Sequence, residues 1–473
     1  MHVRPLAPRT TRPVDRLHGT LEAEGALENA IAAAFRAHGS SNRALCMSLE
    51  APLAPAERLL TLTGHGHRIL WSPTAEHEHS GVGAADLLIA TGESRFARIR
   101  DAARRAFEDL ALIALDGDAA PDPQLFGGFS FQPARAASVL WRGFDDAQFV
   151  LPRIAYTRRA GRAWLTLTAT TQDLSGAVGR SRLAREAAQA LQALRGKVSG
   201  ASPAHGALQR IDAAEGAWSA LVSGIRREIA SGHLEKAIAA QCTVVRGAGL
   251  PSAALVLERL RTQAPDCARF ALAVGDRTFL GASPERMVKR SGARLWTEAV
   301  AGSIPSDDPT DGRSLLFSKK DGLEHAIVAR EIRAALGPLC ETLGAFGPEL
   351  HRLPHLTHLR TRFEGVLKEP LHVLDLVERL HPTPAVGGAP RAAALDWIAA
   401  HEHVDRGLYA GPFGGFDRAG NGEFIVAIRS GLLAAGEAHL FAGAGIIDGS
   451  NVESERRETR WKLRGLLAAL GVD

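Results

Sequence analysis

The run from Phe441 to Lys462, FAGAGIIDGSNVESERRETRWK, constrains this chain more than any other stretch. It predicts a small-residue turn running into a helix on which Glu455, Glu458 and Lys462 follow at spacings of three and four. Residues so spaced stack on one helix face. Two carboxylates and an ammonium make a poor core face but can hold a divalent cation and an anionic ligand, since Mg2+ binds through a few carboxylates and leaves room for substrate oxygens. The glycines let backbone come close to a ligand where a Cβ would obstruct it. An exposed charged helix after a glycine turn is the plainer alternative.

At 473 residues the chain has room for three domains or one large unit, and for a substantial core. Apolar residues at 45% and charged residues at 23% are globular averages, so neither disorder nor membrane dominates. No run of about 18 apolar residues exists to span a bilayer, and the N-terminus, MHVRPLAPRTTRPVDRLHG, lacks the apolar segment of a secretory signal. A cytoplasmic location is expected. Cys46, Cys242, Cys267 and Cys340 are scattered without metal-ligand spacing and read as reduced and structural. The net charge of +4 is small and contains no long basic block, which favours anionic small molecules over nucleic acid.

Strand character is expected over Gly81 to Thr91 and Ala136 to Tyr156, with amphipathic helices over Arg95 to Leu115 and Ala184 to Leu194. The turn-rich stretch RGKVSGASPAHG, Arg195 to Gly206, divides residues 1–205 from a motif-rich region, 206–473. There the pattern predicts a helix (Glu215 to Ser231), a strand (Lys236 to Val245), a helix (Ala253 to Gln263) and paired strands around Phe270 to Leu280 and Glu285 to Arg290.

Several residues in this second region invite chemistry. Lys236 opens the apolar strand KAIAAQCTVV, where it either snorkels to the surface or is desolvated into a neutral amine able to act as a base. Glu285 ends FLGASPE at the tip of a turn, either as a charged strand-end residue or as a proton donor set against apolar walls. Glu324 and Asp321 share a face of the helix in SKKDGLEHAIVAREI, whose apolar positions are Leu323, Ile327, Val328 and Ile332. His325 lies beside them, but HExxH is absent and no cysteine is near, so Mg2+ on carboxylates fits better than zinc. Arg429 lies in the apolar strand FIVAIRSGLL, where a carboxylate partner is expected from either a substrate or a structural acid.

Taken in order, GASPE, TEAVAGS, LEHA, HLTHLRT, HPTPAVGG, AIRSG and the C-terminal run resemble the chorismate-utilising enzymes: isochorismate and salicylate synthases, anthranilate synthase large subunits and aminodeoxychorismate synthases. The likeness covers residues 206–468, and FGGFSF at 126–131 is similar to the family's N-terminal region. It implies an α+β fold, one large domain of stacked antiparallel β-sheets wrapped by helices, with the active site in a cleft between sheets. Carried over by position, Lys236 matches the base that activates water and Glu285 the acid that protonates the departing hydroxyl. Glu324 and Glu458 match the magnesium ligands, with Asp321 and Glu455 in the same acidic shell. Arg429, Gly443 and Lys462 match groups that hold the substrate carboxylates. Gly302, Ser303 and Ala385 match pocket-lining positions, His358 a histidine near the reacting ring, and Tyr409 a hydrogen-bond donor to a carboxylate.

The implied reaction is attack of water on C2 of chorismate, a shift of the double bonds and loss of the C4 hydroxyl, with Mg2+ as cofactor. Lysine at 236, where the ammonia users have glutamine, makes water the nucleophile, so no glutamine amidotransferase subunit is expected. HPTPAVGG resembles the isochorismate synthases of the siderophore, salicylate or menaquinone pathways. A one-chain salicylate synthase and a non-catalytic chorismate-binding paralogue are the alternatives; the paired base and acid argue against the second. A monomer without nucleic-acid or membrane partners is expected. Two departures stand out: Gln241 occupies a position where the family commonly has arginine, and SNVESERRET lacks the usual proline and the aromatic after Glu455.

Overall fold

The computed structural model describes residues 23–62, 64–116, 120–134, 138–198 and 208–472. The N-terminal segment and most of the expected linker, residues 199–207, lie outside them. In the first part the order is α1 (Glu24–His38), β1 (Ala44–Glu50), β2 (His67–Thr74), β3 (His77–Ala90), α2 (Arg95–Phe107), β4 (Leu110–Ala114), β5 (Gln124–Phe129), β6 (Ala147–Arg159), β7 (Arg162–Thr170), α3 (Thr171–Ser175) and α4 (Ala177–Arg195). After it come β8 (Gln209–Ile211), α5 (Glu215–Ala230), β9 (Lys236–Arg246), α6 (Ala253–Gln263), β10 (Ala268–Val274), β11 (Arg277–Ser283), β12 (Arg286–Ser291) and β13 (Arg294–Pro305). Then follow α7 (Arg313–Phe317), α8 (Lys319–Leu336), β14 (Cys340–Arg352), β15 (Leu356–Leu367), α9 (Val373–Leu380), β16 (Gly388–Ala389) and α10 (Arg391–His401). The chain closes with β17 (Pro412–Asp417), β18 (Gly422–Val426), β19 (Ser430–Ala434), β20 (Glu437–Ile446) and α11 (Val452–Leu470).

Strand pairing makes two ladders that share β6. One runs β4-β1-β7-β6-β3-β2-β10-β11-β19-β20-β9, and the other runs β6-β5-β17-β18-β12-β13-β15-β14. The split is visible on β6 itself: Ala147 to Val150 pair with β5, whereas Ile154 to Arg159 pair with β7. Among the described strands β1 with β4 is parallel and the other pairings are antiparallel. Because β2 pairs with β10 and β5 with β17, strands from both sides of the expected linker are woven into the same ladders.

Large aromatic side chains fill the space between the ladders. Phe270 on β10 meets Phe413 on β17 with ring centroids 4.9 Å apart, and Trp71 on β2 meets the same ring at 6.2 Å. Each buried phenylalanine of this kind contributes about 1.5–3 kcal/mol. A second core joins the first ladder to helices through Leu183, Ala187 and Leu191 of α4, Leu257 of α6 and Leu466 of α11. With Ala184, Ala190 and Leu194 also buried, the α4 positions recur at spacings of three and four, which is why the alanine-rich helix packs along one stripe.

Several expectations are corrected. The helix over Arg95 to Leu115 stops at Phe107, because Asp109 takes a φ of +54° and LALIA pairs beside β1 as a strand. Strand structure before Tyr156 starts at Ala147 rather than Ala136, which is itself outside the described residues. The stretch Phe270 to Leu280 is already a hairpin of β10 and β11, and β12 pairs with β13 and β18 instead of with it. FAGAGI is not a turn but the end of β20; the reversal before α11 is made by Asp448, Gly449 and Ser450. Leu323 is 52% exposed, since α8 turns Ile327, Val328 and Ile332 to the core and leaves its first turns at the cleft.

Candidate active site

Lys236 is the first residue of β9, and its side chain is fully buried, so it does not snorkel to the surface. Its Nζ lies 2.9 Å from Glu324 Oε1 as an ion pair, yet without an aligned hydrogen-bond acceptor. Burial pushes the Glu324 carboxyl up, but Lys236 together with Lys320 and Lys462 outweighs this and holds it below the usual carboxylate value. The pair closes over Gly445 of β20, where a Cβ would fall 2.2 Å from Glu324 Oε1 and 3.0 Å from Lys236 Cε. Only a glycine leaves that gap.

Glu285 sits between β11 and β12 and is 5% exposed, so the turn buries its carboxyl. Burial, together with the nearby carboxylate of Glu298, pushes it up to about 8 against the opposing charges of Lys236, Arg429 and Lys462. At neutral pH it is a carboxylic acid with a proton to give. Glu298, on β13, accepts a hydrogen bond from the backbone N–H of Arg286 at 2.8 Å, which ties it to the residue following the acid.

His358 on β15 and Arg429 form the opposite wall. Arg429 is not in a strand: it bridges β18 and β19 at a φ of +52°, where its turn aims the guanidinium at β15. It donates to His358 Nε2 at 3.4 Å, and among the described residues no carboxylate pairs with it, which leaves its positive charge for a ligand. Burial and the Arg429 charge hold His358 well below the ordinary histidine range. Its neutral ring then donates from Nδ1 to Gly302 O at 3.0 Å, with Ser303 Oγ 2.9 Å away, and offers Nε2 as acceptor. Gly302 is the extra residue of a β-bulge on β13, with a φ of +72° and Asp321 packed against it.

The two acidic helices are held by their own caps. Ser318 accepts from Asp321 N at the start of α8, and Asn451 accepts from Glu453 N and Ser454 N at the start of α11. Three of the four expected carboxylates meet lysines: Glu324 with Lys236, Glu455 with Lys320 at 2.5 Å, and Glu458 with Lys462 at 2.6 Å. Burial raises Asp321 and Glu455, and neighbouring carboxylates add to the rise, so the four groups share one field. Among the described residues no three such side chains already converge as a metal cage. Carboxylate oxygens in mutual repulsion fit a hard cation that takes one or two protein ligands and completes its shell from substrate. His325 is not part of this group; it turns away to Thr361 Oγ1 at 2.8 Å.

The remaining expected residues are placed by their own contacts. Lys462 Nζ donates to Gly443 O at 2.8 Å, and Tyr409, stacked on Phe441, has its hydroxyl beside Gly443 and is pushed up to about 12 by burial. Ala385 lies in the 381–388 loop that β16 pins to the start of β9. Gln241 donates to Thr459 Oγ1, anchoring β9 to α11 one residue beyond Glu458. Sequence reasoning assigned no role to Gly445 or Glu298. The signals were present, as a Gly-Ala-Gly alternation in a strand and as a lone acid in TEAVAGS, but neither reveals its spatial partner.

Two interlocked antiparallel ladders, a buried amine and acid, and cations set for an anion define the class, and the chain belongs to the chorismate binding enzyme family, whose model matches residues 29–471. It is 38% identical over 399 residues to the salicylate biosynthesis isochorismate synthase of Pseudomonas aeruginosa, covering 82% of each chain. To isochorismate synthase MenF of Bacillus subtilis it is 33% identical over 421 residues, covering 86% of this chain and 88% of the relative. Among solved structures, the menaquinone-specific isochorismate synthase MenF of Escherichia coli superposes with a TM-score of 0.75 at 26% identity, covering 94% of this chain and 99% of that one.

Proposed function

We propose that this chain is an isochorismate synthase, an isomerase that interconverts chorismate and isochorismate. The observation that carries the reading is a buried amine without an aligned acceptor, Lys236, in the same cleft as a carboxylic acid kept protonated at neutral pH, Glu285. Lys236 takes a proton from water as its oxygen bonds to C2; the double bonds shift, the C4–O bond breaks, and Glu285 gives its proton to the leaving hydroxyl. The reverse reaction exchanges these roles. Arg429 and Lys462 hold the carboxylates of the dianionic substrate, while Tyr409 and the Gly443 backbone fix one of them in place. His358, neutral and hydrogen-bonded to Gly302, sets the orientation of Arg429.

Glu324 and Glu458 would hold Mg2+, with Asp321 and Glu455 completing the acidic surround. When bound, the ion neutralises a substrate carboxylate and helps to fix the ring between base and acid. Because water is the nucleophile, the reading needs no amidotransferase subunit. Incubation of the purified protein with chorismate and Mg2+, followed by separation of products, tests it. Isochorismate in equilibrium with residual chorismate is expected. A stoichiometric yield of salicylate and pyruvate without an added lyase, or aminated product from ammonium salts, would overturn it.

A further inference from the structure

The Lys236 end of β9 is held by a side chain. β16 pairs only with Lys236 and Ala237, and the loop before it adds a bond from Ile238 N to Gly387 O at 2.9 Å. On that edge the neighbouring backbone then runs out, while β20 pairs along the other edge. The guanidinium of Arg406 takes over, donating to Ile238 O at 3.0 Å and to Val386 O at 2.7 Å, so one planar cation ties the strand to the loop. Both carbonyls are buried acceptors that would be costly to leave unpaired. Arg406 is in turn fixed by Glu402, which accepts from Nε at 3.0 Å and from Nη2 at 2.7 Å.

The seat of this clamp comes from FGGFSF. The Phe131 ring lies 4.2 Å under the guanidinium, its N–H donates to Gly407 O at 2.8 Å, and its carbonyl accepts from His381 Nε2 at 2.9 Å. Phe131 therefore holds the beginning of the 381–388 loop while Arg406 holds its end. Lys236 and Ile238 project to the same face of β9, two residues apart, so a shift of one carries the other.

We propose that Arg406, seated on Phe131, is a positioning residue that sets the place of Lys236, and that this is what the N-terminal FGGFSF segment contributes to the reaction. The proposal rests on the reading of Lys236 as the base. Misplacing a catalytic group by about 1 Å costs on the order of a hundredfold in rate. Arg406→Ala is expected to lower kcat by about that factor while KM for chorismate stays within about threefold, since the Arg406 guanidinium is buried and engaged by Val386 O, Ile238 O and Glu402.

Arg406 also lines a cavity of about 1120 Å3, which gives added guanidinium a route to the vacated position. Guanidinium chloride too dilute to unfold the wild type should restore at least about fivefold of the lost kcat, whereas a merely structural loss would not respond. Hydrogen exchange at the Ile238 amide should speed up in Arg406→Ala and slow again with guanidinium. Phe131→Leu, which keeps the backbone bonds, should show the same pattern more weakly and carries the test if Arg406→Ala does not fold. A folded variant with kcat within about twofold of wild type, or with unchanged Ile238 exchange, overturns the clamp. Full activity in Lys236→Ala overturns the reading of the base instead, and leaves the exchange result to decide the clamp.

Discussion

Glu285 is useful because it is hidden. Burial and the Glu298 carboxylate raise it to about 8, so it is protonated at neutral pH and ionises as pH climbs through that value. An acid must hold its proton to act, hence the Glu285 limb of the kcat profile should fall above about pH 8. Glu298→Gln keeps an acceptor for Arg286 N but removes the negative neighbour, so the fall should begin at lower pH; a pH profile of kcat unchanged from wild type would show that Glu298 does not set the acid. Glu285→Gln should cost at least about a hundredfold in kcat with little change in KM, the usual worth of a positioned general acid. A mutant that turned over normally but bound chorismate poorly would make Glu285 a binding residue. Gly445→Ala places a methyl between Glu324 and Lys236, and turnover should fall by about a hundredfold with the fold intact by circular dichroism. Wild-type turnover in a folded Gly445→Ala enzyme would count against the importance of that pair.

At the scale of elements, α8 and α11 bring their capped N-terminal ends to one acidic surface, tied by the Lys320–Glu455 contact. Four carboxylates there are tolerated because lysines meet three of them, and a cation of higher charge fits the same field. Activity should therefore be lost in excess EDTA and return with Mg2+, while Glu458→Gln should cripple turnover without altering the melting profile. Full turnover in excess EDTA would remove Mg2+ from the mechanism. Helix periodicity made Glu455, Glu458 and Lys462 legible as one face, and Asp321 with Glu324 as another. It could not reveal that the two faces meet, nor that Leu323 would be left exposed beside them.

Across the whole molecule the cleft depends on two ladders being held at a fixed separation by aromatic side chains. Phe270 packs on Phe279 of its own ladder and on Phe413 of the other, and all three are buried. Phe270→Ala should destabilise the chain by about 3–5 kcal/mol, the usual cost of emptying such a site. Chemical denaturation measures this directly; a loss below about 1 kcal/mol would mean that the ladders do not depend on that contact.

The amino-acid sequence determined the family and most local elements, since helix and strand periods and the order of short motifs are properties of neighbours along the chain. Lys236, Glu285, Glu324 and Glu458 could be singled out as candidates in that way. Tertiary structure decided what surrounds each of them. Whether Lys236 is buried or snorkels depends on β16, β20 and α8 closing over it, and an isolated strand contains no such information. The run FAGAGI is a strand because β9 pairs with it from Phe441 to Ile446, although its glycines favour a turn locally. Arg429 leaves the strand register because a left-handed turn points it at His358, and Asp109 ends α2 because LALIA finds β1. Each of these outcomes rests on a partner far away in sequence, and pairing energy at long range is what local propensity cannot express.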